Sequence, residues 1–273
     1  CIRDRNNPAK QKKVKTKKQK AIAATCAVAF WLLVWHVVSL CVGSELVLVS
    51  PVKVVQTLFT VIFDPDFLKT VWYSAARILG GFFTALTLGT VLGWVASRFW
   101  VVETLLRPIT AVIKATPVAS FIILVLLWFS GKNLSVIISM LMVFPVIYMN
   151  VLEGIRSADE KLLEMAQVFR LSVGKKLLYI YLPAVAPFFV SACSVSLGLC
   201  WKSGIAAEVI GTPDGSIGAV FYQAKIFLQT SELLAWTVVV VAVSVAFEKL
   251  FMFLLQLVLK KLKMEDVLNG KRA

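Results

Sequence analysis

Glu164-Met165-Ala166-Gln167-Val168-Phe169-Arg170 continues through Leu171-Ser172-Val173-Gly174 to Ile180-Tyr181-Leu182-Pro183, and from there into an uncharged run over residues 184–201. A polar, helix-forming segment set between long apolar runs belongs in water while its flanks belong in hydrocarbon. Only a helical membrane protein with a protruding loop accommodates both. Composition agrees, with 59% hydrophobic residues and a mean hydropathy of +0.84, too apolar for an ordinary soluble domain. The net charge of +14 does not point to nucleic acid. The basic residues crowd at the chain ends and in short loops between apolar runs, which is the pattern of membrane topology.

Working outward, the uncharged stretch over residues 21–42 is long enough, at about 1.5 Å per residue, to cross a hydrocarbon core of about 30 Å. Further spans are expected over 78–97, fenced by Arg77 and Arg98, and over 115–130, 134–152, 184–201 and 233–259. Gly81, Ala85, Gly89 and Gly93 recur every fourth residue, which predicts a close helix–helix seam. Pro117 is expected to cap or bend the third span, and Pro145 to keep the fourth facing protein. A surface helix is expected near 52–63, a short amphipathic helix over 217–228, and a turn-rich outer segment from Lys202 through Gly204, Glu208 and Gly211 to Gly215. Residues 1–20 read as a disordered basic tail and 260–273 as a second tail. The positive-inside rule puts both termini, and the loop over 154–183, on the cytoplasmic side. The fold class is therefore all-α, with about six transmembrane helices.

Cys26, Cys41, Cys193 and Cys200 suit neither a disulfide framework nor a zinc site, and no metal or cofactor is expected. His36, the single histidine, has no neighbouring acid and is read as neutral and hydrogen-bonded or interfacial. Cys1 is read as a trimmed start rather than a lipid-anchor site.

The spacing Glu164-x-Ala166, a turn, then Ile180-x-Leu182-Pro183 resembles the cytoplasmic loop of ABC importer permeases. Three more stretches match that family in order: residues 72–81, beginning Trp72-Tyr73-Ser74; Phe144-Pro145-Val146 with Asn150 and Gly154-Ile155-Arg156-Ser157; and Ala206-Ala207-Glu208-Val209-Ile210-Gly211. Within the family the likeness is greatest to the nitrate, sulfonate and taurine branch. The resemblance implies a MetI-like architecture and a permease that is itself no enzyme. It also implies a pair of permeases, two separate ABC ATPase subunits, an extracytoplasmic solute-binding protein and a small anionic or zwitterionic solute. It makes the loop the ATPase-coupling site, with Glu164, Ala166, Phe169, Arg170, Leu171, Ser172, Gly174, Leu182 and Pro183 as its residues. Two positions depart from the family: Met165 stands where alanine is usual and Arg170 where glycine is usual. The turn falls either at Arg170 or, displaced, at Gly174.

The residues themselves read as a helix, a turn and a helix protruding into water, which suits that role, with a solvated loop between spans as the alternative. Asp159, Glu160 and Glu164 lie towards the start of a helix over 159–169, where the macrodipole favours anions, and Leu162, Leu163, Ala166 and Phe169 give it an apolar face. Phe169 and Leu171 are expected to be buried by the ATPase while Arg170 pairs with acids on its rim. No Gly-x-x-x-x-Gly-Lys-Ser/Thr sequence occurs, so ATP hydrolysis is assigned to another polypeptide. Charges near a bilayer are costly, which makes Lys202 and Glu208 candidates for the solute pathway, with a mutual salt bridge or a snorkelling lysine as the alternative. A secondary transporter would call for related halves with broken helices at the midplane, and a membrane-embedded enzyme for a convergent polar set in the spans. Neither pattern is found.

Overall fold

The computed structural model describes residues 17–44 and 46–262. Regular structure among them is helical throughout: α1 Lys17–Val42, α2 Pro51–Ile62, α3 Phe67–Arg98, α4 Trp100–Ala115, α5 Val118–Leu126, α6 Gly131–Arg156, α7 Glu160–Val168, α8 Val173–Lys176, a π-turn Leu177–Tyr181, α9 Leu182–Gly211, α10 Ile217–Ile226 and α11 Thr230–Lys261. Five helical segments are long and apolar enough to cross a membrane: α1, α3, α6, the rod from Val173 to Gly211, and α11. The pair α4 and α5, bent by 105°, makes a sixth if it is one span.

The centre of the bundle is α6, which has 61% of its apolar window buried against 6% for α1 and α11. It lies between α3 and α9 because both present glycines to it. A Cβ on Gly89 would stand 2.9 Å from Cβ of Ile147, and one on Gly204 would stand 2.6 Å from Ile78 and 2.7 Å from Oγ of Ser139. The Gly81, Ala85, Gly89, Gly93 seam is thus the face of α3 that meets α6. Pro145 is buried inside α6, where protein rather than lipid surrounds it.

Several boundaries differ from those expected. The helix that carries the second span starts at Phe67, eleven residues before 78, and Phe67 and Val71 join Val61, Ile217 and Trp236 in a separate apolar cluster. Arg77, taken as a fence, instead donates from Nε to the Lys132 carbonyl at 2.6 Å and lies over the Tyr73 ring. The third span, expected over 115–130, is a nine-residue helix. At about 1.5 Å per residue it cannot cross a membrane without α4, which was expected as a connection. The turn-rich segment expected from Lys202 is the last part of α9, and the chain turns only at Thr212 (φ 40). Gly204 and Gly211 serve close packing there rather than turning. The tail expected over 1–20 lies outside the described residues as far as position 16, and residues 17–20 already belong to α1. The second tail lies outside them beyond Leu262.

Candidate functional site: the helical loop at one end of the bundle

The rod from Val173 to Gly211 carries a polar turn at each end. At its start lies the α7 loop. Asp159 caps α7, its carboxylate accepting from the Lys161 amide at 2.9 Å. The helix ends at Phe169 in a Schellman motif: the Arg170 amide donates to the Gln167 carbonyl at 3.0 Å and the Leu171 amide to the Ala166 carbonyl at 2.9 Å. Arg170 therefore occupies the left-handed position, with φ 49. Of the two positions open from sequence, the turn falls at Arg170, and Gly174 is an ordinary helical residue of α8.

A small apolar cluster holds this turn to the bundle. Ala158, Ala166 and Ile180 are buried, with Leu163, Leu171, Tyr181 and Ala184 packed on them. Ala166 has no exposed surface, so a larger side chain would push α7 away from Ile180. Met165 points outward and is 44% exposed, which is why its extra bulk is accommodated where alanine is usual. Glu164, Phe169, Arg170, Ser172 and Gly174 all lie at the exposed surface. Leu171 does not: it completes the loop's own cluster. Val168 and Val173, each 79% exposed, flank Phe169 at 72%, an apolar rim of which the sequence had suggested only the phenylalanine.

Leu182 and Pro183 lie at the base of the returning helix. The Leu182 amide reaches back five residues to the Leu177 carbonyl, and Pro183 has no N–H to give. A proline ring clashes with the carbonyl four residues earlier, and the wider π-turn relieves that clash. This turn went unforeseen, although Pro183 so close to the start of a span was its signal. Beside it an apolar cavity of about 520 Å³ is lined by Trp94, Val151, Ile155, Leu177, Tyr181 and Leu182.

At the other end of the rod, Glu208 is completely buried. Its Oε2 accepts from Ser74 Oγ at 2.6 Å and from the Gly218 amide at 3.3 Å, while Ser74 Oγ accepts from the Ile217 amide at 2.9 Å. Ser135 Oγ stands beside it without completing a hydrogen bond. This carboxylate knots α3, α9 and the N-terminus of α10 together. It makes no pair with Lys202, because six residues along a helix place two side chains about 120° apart. Lys202 is exposed, on the face shared with Ser191, Val195 and Gly198.

The cysteines and the histidine lie apart from both turns. Cys193 and Cys200 are buried free thiols and Cys26 and Cys41 exposed ones. The Nδ1 atom of His36 has no hydrogen-bond partner among the described residues. Among the described residues no group of three or more His, Cys, Asp or Glu gathers as metal ligands.

A bundle of apolar helices around a glycine-seated centre, with a polar helical loop projecting from one end, defines a multi-pass helical membrane protein. The chain belongs to the family of binding-protein-dependent transport system inner membrane components, whose pattern matches residues 85–264. Among its relatives, one assigned by name to aliphatic sulfonates transport in Bacillus subtilis (strain 168) is 29% identical over 76% of each chain. The taurine transport system permease of Escherichia coli (strain K12) is 27% identical over 84% of this chain and 82% of its own. A nitrate import permease of Synechocystis sp. is 25% identical over 74% and 76%. This is an ABC importer permease of the nitrate, sulfonate and taurine branch, and a transport protein rather than an enzyme.

Proposed function

We propose that this chain forms, with a second copy of itself, the membrane pathway of an importer for a small anionic or zwitterionic solute. In this reading a separate ATPase docks on the α7 loop, on the cytoplasmic side with both chain termini. A solute-binding protein delivers its cargo at the Glu208 end, and lipid surrounds the apolar faces of α1 and α11. The observation that carries the reading is the rim at Val168, Phe169 and Val173. Apolar side chains held out at the tip of a polar loop find no cover among the described residues, and an ATPase cleft supplies it. Glu164, Arg170, Ser172 and Gly174 surround the rim and give the contact its charge and register. Ala166, Leu171, Leu182 and Pro183 shape it from behind.

The experiment is purification of the chain from its native membrane. An ATPase comes down with it, and Glu164→Lys lowers solute uptake while the chain still reaches the membrane. Normal uptake in that variant removes the loop from the mechanism. For the pathway, Lys202 is the candidate, exposed on the α9 face where a Cβ on Gly198 meets no described atom within 4 Å. Lys202→Met is expected to reduce uptake normalised to membrane abundance. Glu208 is enclosed and turned away, so its contribution is to hold the outer turn in place.

A further inference from the structure

The loop end of the bundle holds a buried charge that neither the docking rim nor the pathway uses. Glu103, in the first turn of α4, is 9% exposed. Its Oε1 accepts from Arg107 Nη2 at 3.4 Å and its Oε2 from Arg156 Nη2. Tyr148, stacked on Phe144 and almost fully buried, leaves its hydroxyl without a partner nearby. Arg156 is the last residue of α6, and α7 begins four residues later. The same foot of α6 is tied to α9, where Gly154 comes so close to Val185 that a Cβ would lie 2.9 Å from its Cα.

The helix that Glu103 belongs to is interrupted at both ends. A single extended residue, Phe99, separates α4 from α3, and Thr116 with Pro117 separates it from α5 at the 105° bend. Such a helix is a short rod between two breaks, and what fixes its tilt is its side-chain contacts with the bundle. The ion pair is its charged contact at the loop end. The exposures are unequal: the Glu103 side chain is 12% exposed, against 50% for Arg156 and 78% for Arg107. An acid buried that deeply needs a cation beside it, but Arg156 reaches water easily. Arg107, one helical turn away on α4 itself, stays with Glu103 wherever α4 moves. Arg156 can therefore let go without leaving the buried carboxylate unpaired, since Arg107 remains beside Glu103.

We propose that the Arg156–Glu103 pair is a releasable latch through which movement of the ATPase-docked loop reaches α4 and, across the Pro117 bend, α5, with Glu103 and Arg156 acting as positioning residues for transport. The inference rests on the docking reading given above. Its test uses the permease assembled with the ATPase and binding protein that purify with it. Glu103→Gln keeps the shape and a hydrogen-bond acceptor. It is expected to leave ATPase capture intact and to lower solute taken up per ATP hydrolysed about fivefold. Arg156→Gln is expected to do the same and Arg156→Lys to restore most of the loss. If Glu103→Gln merely lowers the amount of assembled complex and leaves uptake per ATP unchanged, the pair is structural and the latch is overturned. Unmodified chain that captures no ATPase takes down the docking reading, and the latch with it. Capture by the unmodified chain with unchanged uptake per ATP in both glutamine variants overturns the latch alone.

Discussion

The two polar turns at the ends of the Val173–Gly211 rod are built to opposite plans, though each follows a helix closed by a left-handed residue other than glycine, Arg170 at φ 49 and Thr212 at φ 40. At the Thr212 end the polar side chains point inward. Glu208 Oε2, Ser74 and the first amides of α10 bond to one another in a site closed to solvent, while Glu208 Oε1 is left without a partner, and Gly218 lies directly against Glu208. At the Arg170 end the hydrogen bonds that shape the turn are backbone ones, a small apolar cluster anchors it, and Glu164, Phe169, Arg170 and Ser172 point out. A turn knotted by buried hydrogen bonds takes its shape from the bundle itself. One that turns Glu164, Phe169 and Arg170 outward leaves them open to the docking proposed above, and its left-handed Arg170 carries a steric cost.

That contrast can be broken by substitution. The largest effect is expected from Glu208→Ala, which strips Ser74 and the Gly218 amide of their acceptor and destabilises the bundle by about 3 kcal/mol, read as a lower unfolding midpoint in detergent. An unchanged midpoint would mean that the knot is not what holds the turn at Thr212. Next comes Gly218→Ala, whose Cβ would collide with the backbone and Cβ of Glu208. Relieving that collision costs about 1–3 kcal/mol by the same measurement. At the other end the sign reverses: Arg170→Gly removes the steric penalty of a left-handed residue bearing a side chain and stabilises by about 1 kcal/mol. If Arg170 also pairs with the ATPase, the same variant shows weaker capture, so a more stable permease couples less well. The smallest effect on stability belongs to Phe169→Ser, within about 0.5 kcal/mol because the ring is exposed. Loss of ATPase capture in this nearly isostable variant is the sharpest support for the rim, and full capture would make Phe169 an incidental surface residue.

How much of this was legible in advance depended on whether the signal was local. The α7 helix, its Asp159 start and the outward Glu164 and Phe169 followed from spacing and polarity over a few residues. So did the small-residue seam of α3, since a four-residue repeat of glycine and alanine has few uses other than close packing. The place of Leu171 did not, because an apolar residue after a turn reads the same whether it faces a partner or folds back on Ala166. Glu208 was the clearest miss. Next to Gly211, Pro213 and Gly215 it looked like part of an exposed turn, and nothing near it in sequence names Ser74, which lies 134 residues away.

Sequence alone determined the class. Apolar runs long enough to cross a bilayer, basic residues at their ends and the Glu164–Pro183 spacing each act locally, through transfer free energy and helix geometry. What only tertiary structure decided was which charges are exposed and which are enclosed. Lys202 and Glu208, or Arg156 and Glu103, differ little in their local surroundings. Their roles separate only when α3, α4, α6, α9 and α10 come together, because the burial of a carboxylate and the identity of its donors are properties of the packed bundle and of no single helix.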